Sequence, residues 1–114
     1  MPLNKGDIVL VPFPFTDLSA TKLRPAIVLW VDHSGNDVIV CLISSQNVNY
    51  LTPEEFAIIP NNAEFLGTGL KIASKVRVSR VVTIERSLIT RRIGKLGTKL
   101  MKQLDICLKH TFQI

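Results

Sequence analysis

Apolar and polar positions along this chain come in short strand-like runs, and near the C-terminus they give way to a helical period. Ile8-Val9-Leu10-Val11 follows Gly6-Asp7 and ends at Pro12, the outline of a first strand. Phe13 to Lys22, with Pro14 and several turn formers, breaks any period and reads as a loop. Pro25 to Trp30 and Val38 to Ile43 are two further apolar runs, and the segment Asp32-His33-Ser34-Gly35-Asn36-Asp37 between them is dense in turn residues. They form one expected hairpin. If its turn centres between Ser34 and Gly35, paired residues sum to about 69, which sets Arg24 opposite Ser45 and beside Ser44 and Gln46.

Beyond the hairpin, Asn47 to Pro53 reads as loop, Glu55 to Ile59 as a short strand and Phe65 to Leu70, with Gly67 and Gly69, as a turn. Lys75 to Glu85 is a longer strand, with Val76, Val78, Val82 and Ile84 on one parity and Arg77, Ser79 and Thr83 on the other. Arg80 and Val81 interrupt it. Leu88-Ile89-Thr90 reads as a helical turn and Ile93 to Gly97 as a brief edge strand. Thr98 is then placed to cap a final helix whose Leu100, Met101, Leu104, Cys107 and Leu108 share a stripe. Many short strands followed by one helix predict a mainly β fold: a small, curled, antiparallel β-barrel with a C-terminal helix packed on it.

Size and charge narrow the picture. At 114 residues and 46% hydrophobic content, the chain is expected to form one domain over residues 1–114. No apolar run reaches membrane-spanning length, and Met1 to Asp7 lacks the order of a signal peptide, so a cytoplasmic location is expected. Cys41 and Cys107 lie far apart within apolar segments and are expected to be reduced core thiols. The net charge is +5, and ten of the fourteen basic residues fall between Lys71 and Lys102, where Glu85 is the single acid. Such a skew suits phosphate, a membrane surface or an acidic peptide, or else a solvated basic face.

Few residues suggest catalysis. Arg24, on stiff extended backbone before Pro25, either pairs with a surface carboxylate or joins Ser44 and Ser45 at the open end of the hairpin. The two serines can equally satisfy local backbone. A guanidinium beside hydroxyls is a sensible constellation for a phosphodiester, neutralising non-bridging oxygens and donating one further bond. His33, at the hairpin tip, and His110, near the helix end, do not form an acid–base pair. No metal-ligand spacing is present, so neither a metal nor a cofactor is expected, and Gly67-Thr68-Gly69 lacks the rest of a phosphate cradle.

Several segments together carry a family resemblance. Gly6-Asp7-Ile8-Val9-Leu10-Val11-Pro12-Phe13-Pro14-Phe15, Arg24-Pro25-Ala26-Ile27-Val28-Leu29, Ile43-Ser44-Ser45-Gln46, Ser74-x-Val76 and Arg80-Val81-Val82-Thr83-Ile84 follow the order seen in MazF/PemK-like toxins. The chain resembles these toxin halves of type II toxin–antitoxin pairs from about Lys5 to the C-terminal helix. The resemblance implies an SH3-like barrel, a homodimer, metal-independent endoribonuclease activity on single-stranded RNA, and inhibition by a cognate antitoxin occupying the RNA groove.

By position, Arg24 matches the family's arginine before proline and Ser44 its catalytic threonine or serine. These two are the expected catalytic residues. Lys22, Ser45, Gln46, Arg77, Ser79 and Thr83 are the expected RNA contacts; Arg77 falls where one branch has a catalytic arginine and Thr83 on a recurring strand threonine. Ser79 stands where that branch has an aspartate proposed as base, and Leu18 and Ser19 stand where other members carry histidine or glutamate. The expected chemistry is attack by a ribose 2′-hydroxyl on the adjacent phosphate, with the general base unassigned. Phe13 and Phe15 are either stacking platforms for bases or apolar loop anchors. The antitoxin's contacting tail is expected to be acidic or amphipathic. Two alternatives stand beside this one: a CcdB-type toxin that binds gyrase without cleaving anything, and an RNA-binding relative without turnover.

Overall fold

The alternating runs become six strands of one antiparallel sheet in the computed structural model, which describes residues 2–13 and 22–114. The strands are β1 (Asp7–Phe13), β2 (Lys22–Val31), β3 (Asp37–Ser44), β4 (Glu55–Ile58), β5 (Ser74–Glu85) and β6 (Arg91–Lys95). Their order across the curled sheet is β4-β5-β3-β2-β1-β6. A short helix, α1 (Phe65–Thr68), precedes β5, a 3-10 turn (Arg86–Leu88) follows it, and α2 (Thr98–Phe112) ends the chain.

Period-2 alternation gives this sheet two buried faces. On one, Ile8, Ile27, Cys41, Ile43, Val76 and Val78 pack with Leu100, Leu104 and Cys107 of α2, and Met101 and Leu108 border the same cluster. The helical stripe therefore lies where its period places it. On the other face, Val9, Val11, Ala26, Val28, Val38, Val40 and Ile84 form a second cluster with Leu3. Both cysteines are free and buried. Burial first, and the neighbouring Cys107 second, push the Cys41 thiol up to about 12.

Two irregularities reshape the expected register. In the β2–β3 hairpin, Val31 pairs with Val38 and Trp30 with Ile39, a sum of 69, but a shift between Val28 and Trp30 changes the pairing to Val28 with Val40 and Ala26 with Leu42. The sum beyond the bulge is 68, so continuing the ladder sets Arg24 level with Ser44 rather than Ser45. In β5, Val81 pairs with Cys41 whereas Arg77 pairs with Leu42, leaving Val78, Ser79 and Arg80 outside the ladder with β3. This bulge turns the strand over. Val76 and Val78 consequently pack with α2, while Val82 and Ile84 pack with the opposite cluster, although all four share one parity.

Three smaller expectations are corrected. β1 runs through Pro12, which pairs with Leu23; β6 pairs with β1 only as far as Leu10, so the proline sits where β1 has become an edge. The turn expected at Phe65–Leu70 contains α1, ended by Gly69 in the left-handed region at φ 75°. Thr98 does not cap α2: the N-cap is Gly97, and the carboxylate of Glu64 caps instead, accepting from the Lys99 and Leu100 N–H groups at 2.9 Å each. These two bonds hold the Glu64 carboxyl below the usual range. A remote acid thus meets the positive end of the helix.

Candidate nucleic-acid interface

Register across four strands assembles the site. Ala26 pairs with Leu42, Leu42 with Arg77, and Arg77 with Glu55, so these four form one row from β2 to β4. Two residues along, on the same face, Ser44 lies opposite Lys75, with Arg24 at the level of Ser44 on β2. Arg24 itself pairs with Val11 of β1, which holds its backbone from the other side. The result is a cavity of about 160 Å³ bordered by Arg24, Leu42, Ile43, Ser44, Gln46 and Arg77.

Ser44 terminates β3, and its Oγ accepts from the Gln46 N–H at 3.0 Å. That bond uses one lone pair and leaves the O–H free to donate. It also sets the turn that brings Gln46 to the cavity.

Beneath this cavity lies a charge network. Glu55 Oε1 accepts from Lys75 Nζ at 3.0 Å and from the Thr52 N–H at 3.1 Å, while Oε2 accepts from Arg77 Nε at 3.0 Å. Lys75 also donates to the Tyr50 carbonyl at 3.0 Å. The Lys75 and Glu55 side chains are only 9% and 5% exposed, against 38% for Arg77. Burial opposes ionisation of Glu55, but hydrogen bonds from Thr52, Lys75 and Arg77 outweigh it and hold the carboxyl below its ordinary value. Arg77 is thus fixed through Nε, and its terminal nitrogens keep further donors. The arrangement offers two guanidinium groups and a hydroxyl to an anion, with no acid or histidine among the described residues that border it.

The other expected site residues are placed differently. Ser45 borders a second cavity on the far side of Arg24. Lys22 is exposed and pairs with Phe13 at the β1–β2 end, outside the cavity lining. Ser79 is exposed within the β5 bulge, and Thr83 pairs with Ile39 towards the hairpin end of β3; neither borders the Arg24 cavity. The bulge turns Arg77 and Thr83 to opposite faces of the sheet. Phe15, Leu18, Ser19 and the side chain of Phe13 lie outside the described residues. No group of three or more histidine, cysteine, aspartate or glutamate side chains gathers as a metal site among the described residues.

Over residues 4–112 the sequence matches the PemK-like, MazF-like toxin family of type II toxin–antitoxin systems. The chain belongs to this family. Solved structures with the same fold include an endoribonuclease from a mycobacterial species in complex with its cognate antitoxin, 13% identical, with a TM-score of 0.73 and coverage of 100% of this chain and 97% of that one. Another is the Mycobacterium tuberculosis toxin MazF-mt6, 20% identical, with a TM-score of 0.73 and coverage of 95% and 97%. A further mycobacterial endoribonuclease is 14% identical, with a TM-score of 0.69 and coverage of 99% and 92%. Comparison with curated proteins finds no match. No helix among the described residues is long and apolar enough to cross a membrane.

Within this toxin fold, sequence reasoning missed Glu55, which tethers Arg77, and Glu64, which caps α2. Both acids act across long sequence separations. The one available signal was the scarcity of acids in a basic chain, which makes any buried carboxylate a candidate tether for cations.

Proposed function

We propose that this toxin is a sequence-specific, metal-independent endoribonuclease that cleaves single-stranded RNA, with Arg24 and Ser44 as its catalytic residues. The observation that carries this reading is the meeting of Arg24, Ser44 and Arg77 around one small cavity. The ribose 2′-oxygen attacks the adjacent phosphorus, its proton passes to a base, and the bond to the 5′-oxygen breaks as that oxygen takes up a proton. The product is a 2′,3′-cyclic phosphate or, after hydrolysis, a 3′-phosphate.

Charge accumulates on the non-bridging oxygens of the phosphorane, and this is where the site is strong. Arg24 neutralises them with a planar fork, the Ser44 hydroxyl donates one more bond, and Arg77 adds a second fixed cation. Arg24 is also a donor near the leaving oxygen. A guanidinium is a poor ordinary base, so the base is left unassigned. Gln46 and Ser45 contact neighbouring parts of the strand.

Family membership and the structural likeness to an endoribonuclease held by its antitoxin support the same reading. A cognate antitoxin with an acidic or amphipathic tail would compete with RNA for the basic surface. The toxin would act as a homodimer, which light scattering of the purified protein tests.

The decisive experiment incubates purified protein with a long single-stranded RNA in EDTA and maps the new ends, with Arg24→Ala in parallel. Cuts at a short recurring motif that vanish in the variant are expected. Full activity of the variant overturns the catalytic assignment. A folded wild-type protein that arrests growth without cutting RNA points instead to a binding toxin of the CcdB kind.

A further inference from the structure

Arg24 and Ile43 also border a second cavity, of about 300 Å³, which adjoins the first on the far side of Arg24. Its cations are Arg24, Lys71 and Arg91, with no acid in its lining. Lys71 and Arg91 are exposed, and among the described residues neither forms an ion pair. Arg92 behaves differently, lying 3.5 Å from the buried carboxylate of Asp7. Adjacent residues of a strand point to opposite faces, so β6 commits one arginine to the fold and leaves the other at the cavity.

The wall of this cavity is apolar and built for the place. Gly69 adopts φ 75° after α1, a conformation that suits glycine, and the turn brings Leu70, Lys71 and Ile72 to the rim opposite Ile93. Ile72 is 60% exposed, so an apolar side chain stands in water in a cavity that Lys71 and Arg91 also line. Cations and apolar side chains around one cavity together match a nucleotide, whose phosphate is anionic and whose base presents a flat apolar face. A purely acidic peptide would use the cations and leave the apolar side chains uncovered.

We infer that this second cavity binds the nucleotide adjoining the scissile phosphate, its backbone phosphate on Lys71 and Arg91 and its base against Ile72. The word scissile rests on the nuclease reading; the subsite itself is a statement about RNA binding. Three like charges around one cavity repel each other until an anion enters, which favours phosphate there. Lys71 and Arg91 act on substrate affinity rather than on the chemical step.

The test measures binding of a fluorescent single-stranded 2′-fluoro oligoribonucleotide, which lacks the attacking hydroxyl, by anisotropy over a range of salt. For the Lys71→Ala/Arg91→Ala protein, Kd is expected to rise about tenfold, and the slope of log K against log salt to flatten by about 0.7 for each phosphate that is no longer neutralised. Lys71→Arg/Arg91→Lys is expected to restore the slope, and Ile72→Ser to weaken binding with the slope unchanged. Wild-type Kd and slope in the double alanine protein overturn the inference. So does unchanged RNA binding with abolished binding of poly-glutamate, which assigns the cavity to an acidic peptide. A wild-type protein that binds this oligonucleotide through Lys71 and Arg91 but leaves unmodified RNA intact supports the subsite and overturns the nuclease reading alone. Cleavage of RNA with binding indifferent to both cations does the reverse.

Discussion

Arg77 donates from Nε to Glu55 Oε2 at 3.0 Å, and the same carboxylate holds the buried Lys75 through Oε1. This shared acid joins the short strand β4 to the floor of the anion cavity. Removing it strands an ammonium that is 9% exposed, so Glu55→Ala should lose roughly 3 kcal/mol of stability, as expected when one partner of a buried pair is deleted. Urea titration of the variant checks this. A loss below about 0.5 kcal/mol would show that water replaces the carboxylate.

The same group predicts a pH dependence. Its folded pKa lies below the ordinary carboxylate value, so its stabilisation is complete above roughly pH 5 and is lost as pH falls through the depressed folded value. Wild-type stability should therefore drop on acidification more steeply than that of Glu55→Gln. Parallel curves for the two proteins would assign the acid sensitivity elsewhere.

For the chemistry, Ser44→Ala should lower the RNA cleavage rate by about two to three orders of magnitude, as for loss of one donor to a developing oxyanion. Single-turnover kinetics separate this from binding. An unchanged rate would move the donor role to Ser45.

Glu64 caps α2 from 35 and 36 residues away. Glu64→Ala should increase amide exchange at Lys99 and Leu100 and lower Tm, leaving the β3–β5 amides protected. Equal exchange in both proteins would mean that solvent caps the helix as well as the acid does.

Leu104 is fully buried between α2 and the sheet, and Leu104→Ala should cost about 2–5 kcal/mol. Cys41 sits in the same cluster with its thiol pushed up to about 12, so at pH 8 a thiol reagent should label it only as fast as the protein opens. Rapid labelling of folded protein would contradict its burial.

Local chemistry made much of this legible in the sequence. The apolar runs identified β2, β3 and β5, and the stripe from Leu100 to Leu108 identified α2, because both periods are set by backbone geometry within one element. Arg24-Pro25 and Ser44-Ser45-Gln46 were visible as an extended cation and a strand-ending hydroxyl segment, and the hairpin arithmetic missed their alignment by one residue. That residue is the bulge beside Leu29, which an unbroken apolar run does not announce. The tertiary structure alone decided that Arg77 turns to the Arg24 cavity and Thr83 away from it, since both share a parity that the Val78–Arg80 bulge reverses. It alone joined Glu55 to Arg77 and Glu64 to the start of α2, and placed Lys71 and Arg91 around one cavity. Those contacts depend on register and on how the sheet curls, quantities that period and composition leave open.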